Sequence, residues 1–104
     1  MASLKSILNT QKYVCYRCGA YGYTEVHHIF GSYNRKKSTE DGLVVNLCPD
    51  CHNRPPQGAH FNKDTMDWLH RIGQEAYESK MIQEGFSPSE ARERFMKRYG
   101  RNYL

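Results

Sequence analysis

No stretch of the 104-residue chain approaches the roughly 20 consecutive apolar residues of a membrane span. Its opening residues, MASLKSILNTQK, contain neither a long apolar h-region nor a small-residue cleavage site. The pattern therefore predicts a cytoplasmic protein with no membrane partner. Internal repeats, low-complexity tracts and Pro-rich or Gly/Ser-rich linkers are absent too, which points to one domain over 1–104 rather than two joined by a tether. Apolar residues are also scarce, at 38% with a single tryptophan, so a large core is excluded. In a domain this small, burial nearly cancels the entropy of ordering the chain, and a metal or covalent staple would tip the balance. The four cysteines are the candidates, and in a reducing compartment they are better suited to metal than to disulfides. A net charge of +4 is compatible with a polyanionic partner without establishing one.

The apolar spacing predicts an α+β order. Leu4, Ile7 and Leu8 behind Ser3 suggest a short leading helix over 3–12. Residues 25–30 and 43–47 read as strands, with the polar segment GSYNRKKSTEDG as the loop between them. A long helix follows, capped by Asn62, stopped at Gly85 and carrying Trp68, Leu69, Ile72 and Ala76 on one face. Ser87-Pro88-Ser89-Glu90 is a capping box that opens a last helix, with Phe86 placed to staple onto Ala91 and Gly100 as its stop. On this division 13–85 holds the cysteines, the hairpin and the long helix, and 86–104 the last helix and tail.

Cys15-Tyr16-Arg17-Cys18 and Cys48-Pro49-Asp50-Cys51 are two C-x-x-C units. A two-residue gap lets both thiolates of a unit converge on one ion at about 2.3 Å, and two units complete a tetrahedral S4 set. Cys15, Cys18, Cys48 and Cys51 are therefore the expected structural zinc ligands, although iron fits the same donors. Four of the five histidines fall in or near the same segment: His27 and His28 in EVHHIF, His52 after the second knuckle, and His60. Adjacent strand residues face opposite sides, so His27 and His28 meet one centre only where the strand ends or bulges. One can then bind a metal while the other acts as a base, the pair of tasks a metallonuclease needs at a phosphodiester. His70, alone on the long helix, reads as a surface residue or as one that completes the structural zinc, and Glu25 as a residue that orients a metal-bound imidazole.

The strings CYRC, EVHHI and LCPDCH resemble the HNH endonuclease family in its zinc-knuckle form, a ββα-metal finger on a treble clef, over residues 15–60. The remainder, with GAHFNKD and FMKRYGRNYL, is similar to small HNH-type proteins of phages and prophages. The resemblance implies that His27 and His52 bind a catalytic divalent ion (magnesium, manganese, nickel or zinc) and that His28 is the general base. The family's central Asn would stand where this chain has Leu43, so the orienting role falls to Asn46, the nearby amide. The third ligand is His60 if the loop 53–59 folds back; otherwise Asn53 or Asn62 contributes an oxygen.

Arg35, Lys36 and Lys37 in the hairpin loop are the expected DNA-binding residues, through phosphate contacts whose strength falls with salt. Arg92, Arg94, Lys97, Arg98 and Arg101 on the last helix and tail form either a second basic surface or a solvated face. Tyr16, Tyr21, Tyr23 and Tyr33 are expected mainly to complete a thin core around the zinc, with stacking on bases as the alternative. The implied function is metal-dependent hydrolysis of DNA in a bacterial host cell, in DNA processing or recombination. A non-catalytic zinc module that binds DNA or protein is the alternative, and an RNA-directed role is a third reading.

Overall fold

A computed structural model describes residues 5–104. Two short strands, β1 (Glu25–His28) and β2 (Val44–Leu47), pair antiparallel with Glu25 opposite Leu47 and His28 opposite Val44. Four helices surround them: α1 (Arg35–Glu40), α2 (Pro49–Asn53), α3 (Lys63–Gln83) and α4 (Pro88–Tyr99). The α+β class expected from the sequence is thus observed. Among the described residues no helix is long and apolar enough to cross a membrane.

The helix ends are set locally. Asn62 accepts a hydrogen bond from the Thr65 amide, and Ser87 and Glu90 form the reciprocal capping box ahead of α4, each satisfying amides that a helix start leaves free. Gly100 closes α4 at φ +79°, a conformation open to glycine without a Cβ clash. Phe86 carries the Arg94 guanidinium 4.0 Å from its ring centre.

Two sequence expectations fail, for tertiary reasons. The described part of the leading segment is not helical; Ser3 and Leu4 lie outside the described residues. Its polar groups bind the sheet instead: Ser6 Oγ donates to the Val44 carbonyl (2.6 Å), the Ile7 amide to Gly42 (2.9 Å), and Thr10 Oγ1 accepts from the Asn46 amide (3.0 Å). A helix this short has little stability of its own to set against such partners. The expected polar loop, for its part, contains a 3-10 turn (Ser32–Asn34) and α1. Buried Ser38 ties that helix to both strand ends, accepting from the Phe30 amide (3.2 Å) and donating to the Leu43 carbonyl (2.6 Å). Lys37 Nζ and Asn34 Nδ2 cap the α4 carbonyls of Arg98 (2.9 Å) and Tyr99 (3.2 Å), while Asp41 receives the Arg98 guanidinium and the Tyr99 hydroxyl.

The core joins Ile29, Phe30, Leu43, Val45 and Leu47 to Leu69, Tyr77, Phe95 and Tyr99. Trp68, Ile72 and Ala76 are only partly buried; the fully covered face of α3 includes Leu69, Gly73, Gln74 and Tyr77. Gln74 donates to Glu78 (2.7 Å) and Asn102 (2.8 Å) and accepts from the Tyr103 amide (2.7 Å), and Arg92 bonds Glu78 (2.7 Å). Buried polar groups are tolerable when satisfied in this way, and here they fasten the tail and α4 to α3. With Arg92 and Arg98 so engaged, the last helix presents fewer free cations than its composition suggests. Gly73 lets α3 approach the exit of β1: a Cβ there would stand 2.7 Å from Ile29 Cγ2 and 3.1 Å from Phe30 Cε2. Gly73→Ala is therefore expected to destabilise the fold by about 1–3 kcal/mol through overpacking. The measurement is the urea midpoint, and an unchanged midpoint would contradict the close approach.

Candidate metal centres

Gly19, at φ +77°, turns the chain after the first knuckle, and its amide bonds the Cys15 carbonyl at 2.9 Å. Cys48 serves as the N-cap of α2, with Pro49 behind it and Cys51 one turn on. The Tyr16 amide donates to the Asn46 carbonyl (2.8 Å), holding the two knuckles together. All four sulfurs lie within 4.8 Å of one another, with Cys18 and Cys48 3.8 Å apart. Zn–S bonds of about 2.3 Å in a tetrahedron separate sulfurs by about 3.8 Å, so the set can hold a structural zinc. The thiols also show why a cation is needed. Burial raises Cys15, but amide hydrogen bonds from Cys18, Cys48 and Arg17 outweigh it and bring that thiol down to about 6. Burial and then the neighbouring sulfurs push Cys51 up to about 12, and burial raises Cys48. Four thiolates at this spacing repel one another unless an ion stands between them.

A second cluster lies beyond the same short helix. Ring nitrogens of His27, His52 and His60 fall within 4.8 Å of one another, with the Nε2 atoms of His52 and His60 3.3 Å apart. Bonds of about 2.0–2.1 Å to a tetrahedral ion would place ligand nitrogens about 3.3–3.4 Å apart. His27 is only 3% exposed, and its Nε2 is buried without a hydrogen-bond partner, an orphaned ring nitrogen of the kind a metal satisfies. Burial, then the nearby His52 and His60, draws His27 down to about 3, and the same two influences, burial and His52, lower His60. Both are neutral imidazoles near pH 7, as ligands must be. Glu25 Oε1 bonds His52 Nδ1 at 2.9 Å, fixing that ring with Nε2 toward the cluster.

The loop after α2 folds back and brings His60, rather than Asn53 or Asn62, to the other two histidines. The Ala59 amide donates to the Cys51 carbonyl (2.8 Å) and the His60 amide to His52 (3.3 Å). Asn62 is occupied as the α3 cap and donates to the Pro56 carbonyl, while Asn53 is exposed. Gly58 permits the fold-back, since a Cβ there would sit 2.5 Å from the backbone N and O of Arg54. The sequence reading missed this requirement; a glycine between two prolines and a histidine was its only trace.

His28 is the last residue of β1, where the pleat ends, and it lines one cavity of about 340 Å³ together with His27, His60, Ser32, Asn34, His70 and Tyr103. Burial, then the Arg35 guanidinium, lowers His28. His70 is a wall of this cavity: it stacks on Phe30 with ring centres 5.4 Å apart and packs on Tyr103. Neither His70 nor Tyr103 was expected there. Asn46 is not brought to the histidines; its amide group faces Thr10 Oγ1 at 3.4 Å. Arg35 and Lys36 are exposed, whereas Lys37 is half-buried and bound to α4. Among the four tyrosines expected near the zinc, Tyr16 packs on Trp68, but Tyr21, Tyr23 and Tyr33 are 85%, 68% and 89% exposed and complete no core.

Comparisons with protein-family models, with characterised proteins and with solved structures found no match. The function is accordingly read from the geometry.

Purified protein is expected to hold at least one tight equivalent of zinc, and chelation or Cys48→Ser to abolish cooperative unfolding. A structural zinc contributes roughly 10–16 kcal/mol of apparent binding energy, comparable with the whole stability of such a domain. A cooperative melt that survives chelation would refute the assignment. Gly58→Ala is expected to keep the thiolate-bound ion while weakening a second, histidine-bound equivalent, as measured by titration of metal into zinc-loaded protein.

Proposed function

We propose that the protein is a metal-dependent endonuclease that hydrolyses DNA phosphodiester bonds, an HNH-type ββα-metal unit on a treble clef, phage- or prophage-encoded and acting in DNA processing or recombination. The observation that carries this reading is the convergence of three imidazoles, two of which line an open cavity that His28, at the next position of the strand, also lines.

His27, His52 and His60 would hold the divalent ion, which when bound supplies positive charge against the scissile phosphate and the leaving oxygen. Glu25 keeps the His52 ring oriented. His28 accepts the proton of the attacking water, and its lowered affinity for protons leaves it free to do so near neutral pH. Arg35, close enough to depress His28, would grip a phosphate beside the one under attack, and Lys36 would extend the same contact along the strand. Three nitrogen donors favour borderline ions over magnesium, which prefers oxygen.

A second reading, a zinc module that binds DNA or protein without cleaving it, draws support from Asn46, whose side chain turns to Thr10 instead of to the loop that carries the base. Nicking of supercoiled plasmid separates the two. Cleavage is expected with nickel, zinc or manganese and to be weaker with magnesium, and gel retardation without cleavage in any of the four metals would favour the binding module.

His28→Ala is expected to lower the nicking rate about 100- to 10,000-fold with metal and DNA binding retained. His27→Ala is expected to weaken metal binding itself, so that excess metal partly restores the rate in that variant alone. Both variants must keep zinc on the cysteines for the comparison to hold. Wild-type nicking by His28→Ala would remove it as the base.

A further inference from the structure

Tyr33 is the most exposed large hydrophobic side chain among the described residues, at 89%. A ring held in water gains nothing from burial, yet several features fix this one in place. Ser32 before it adopts φ +49°, a left-handed conformation that non-glycine residues rarely occupy and that tends to mark functional sites. Lys37 Nζ lies 5.1 Å from the centre of the Tyr33 ring, and the same ammonium is anchored 2.9 Å from the Arg98 carbonyl. The ring is thus backed by a tethered cation without being covered by it.

The surroundings supply the rest of a nucleotide-sized site. Tyr33, Arg35, Lys36, Ser32, Thr39 and Glu40 line a groove of about 600 Å³, and Ser32 is also a wall of the histidine cavity. The Glu40 carboxylate is engaged by Arg98 at 3.2 Å, so Arg35 and Lys36 dominate the charge along the groove. An aromatic face beside two exposed cations complements a base attached to its own phosphate. In a paired duplex the faces of the bases are already stacked and closed to such a ring.

We propose that Tyr33 is a stacking platform for an unpaired base in a single-stranded stretch of DNA, with the backbone of that stretch along Arg35 and Lys36 and the adjoining phosphate entering the histidine cavity. The inference rests on the nuclease reading and narrows its substrate to DNA that is single-stranded, or locally unpaired, next to the cleaved bond.

The test is fluorescence anisotropy of zinc-loaded protein with one labelled oligonucleotide, single-stranded and annealed to its complement. Tyr33→Ala is expected to weaken single-strand binding about 5- to 150-fold, the range found for loss of one stacked base, and to leave duplex binding unchanged. Tyr33→Trp is expected to restore it. Tyr21, comparably exposed but lining neither cavity, provides the control, and Tyr21→Ala is expected to behave as wild type. The proposal is overturned by an equal loss on duplex, by no loss, by the same loss from Tyr21→Ala, or by a larger Tyr33 dependence on RNA of the same sequence. Plasmid nicking by the same preparations keeps the two readings apart. Nicking without Tyr33-dependent binding removes this inference alone, whereas Tyr33-dependent binding without nicking in any metal removes the nuclease reading and leaves a single-strand binder.

Discussion

The rest of the structure depends on the gathering of four cysteine sulfurs into a space where each lies within 4.8 Å of the others. The two knuckles come from either side of the sheet in sequence, so bringing them together closes a long loop and costs chain entropy. It also brings together thiols of which two, Cys48 and Cys51, are pushed up in pKa by burial and then by sulfurs around them. What is gained is position. Cys48 starts α2, Cys51 sits one turn further along it, and the next residue is His52, delivered to the Glu25 carboxylate at the start of β1.

A different kind of cohesion operates on the other side of the core. Gln74 and Glu78, one turn apart on α3, face inward and are satisfied by Asn102, the Tyr103 amide and Arg92. A half-satisfied network of this kind would be worse than an apolar one, and its completeness is what holds the tail down. Tyr103, fixed by that network, then packs on Phe30 and His70 and closes a wall of the histidine cavity. Packing far from the metal ligands in sequence thereby shapes the space beside them.

Features governed by neighbours in the chain were legible in the sequence. The Asn62 cap, the Ser87–Glu90 box and the Gly100 stop are local chemistry, and both C-x-x-C units advertise their geometry through spacing alone. The pairing of Glu25 with a histidine of the cluster was likewise readable, since a strand puts it on the same side as His27, two residues on. Features governed by distant partners were not. α1 looks like a polar loop because its hold on the fold lies in Ser38, Lys37 and Asp41, which bond residues on β1, β2 and α4. The leading segment carries helical spacing but spends its polar groups on the sheet. His60 could be placed only once the loop was seen to fold back over Gly58. The tyrosines misled for the same reason, because exposure is decided by what packs nearby and composition does not record it.

One short helix has a consequence of its own. α2 is five residues long, little more than one turn, and it carries sulfur at its first turn and imidazole directly after, with no flexible joint between Cys51 and His52. Cys51 and His52 are consecutive, so the backbone that sets the position of the sulfur also sets the point from which the imidazole leaves the chain, and the two clusters share one uninterrupted segment.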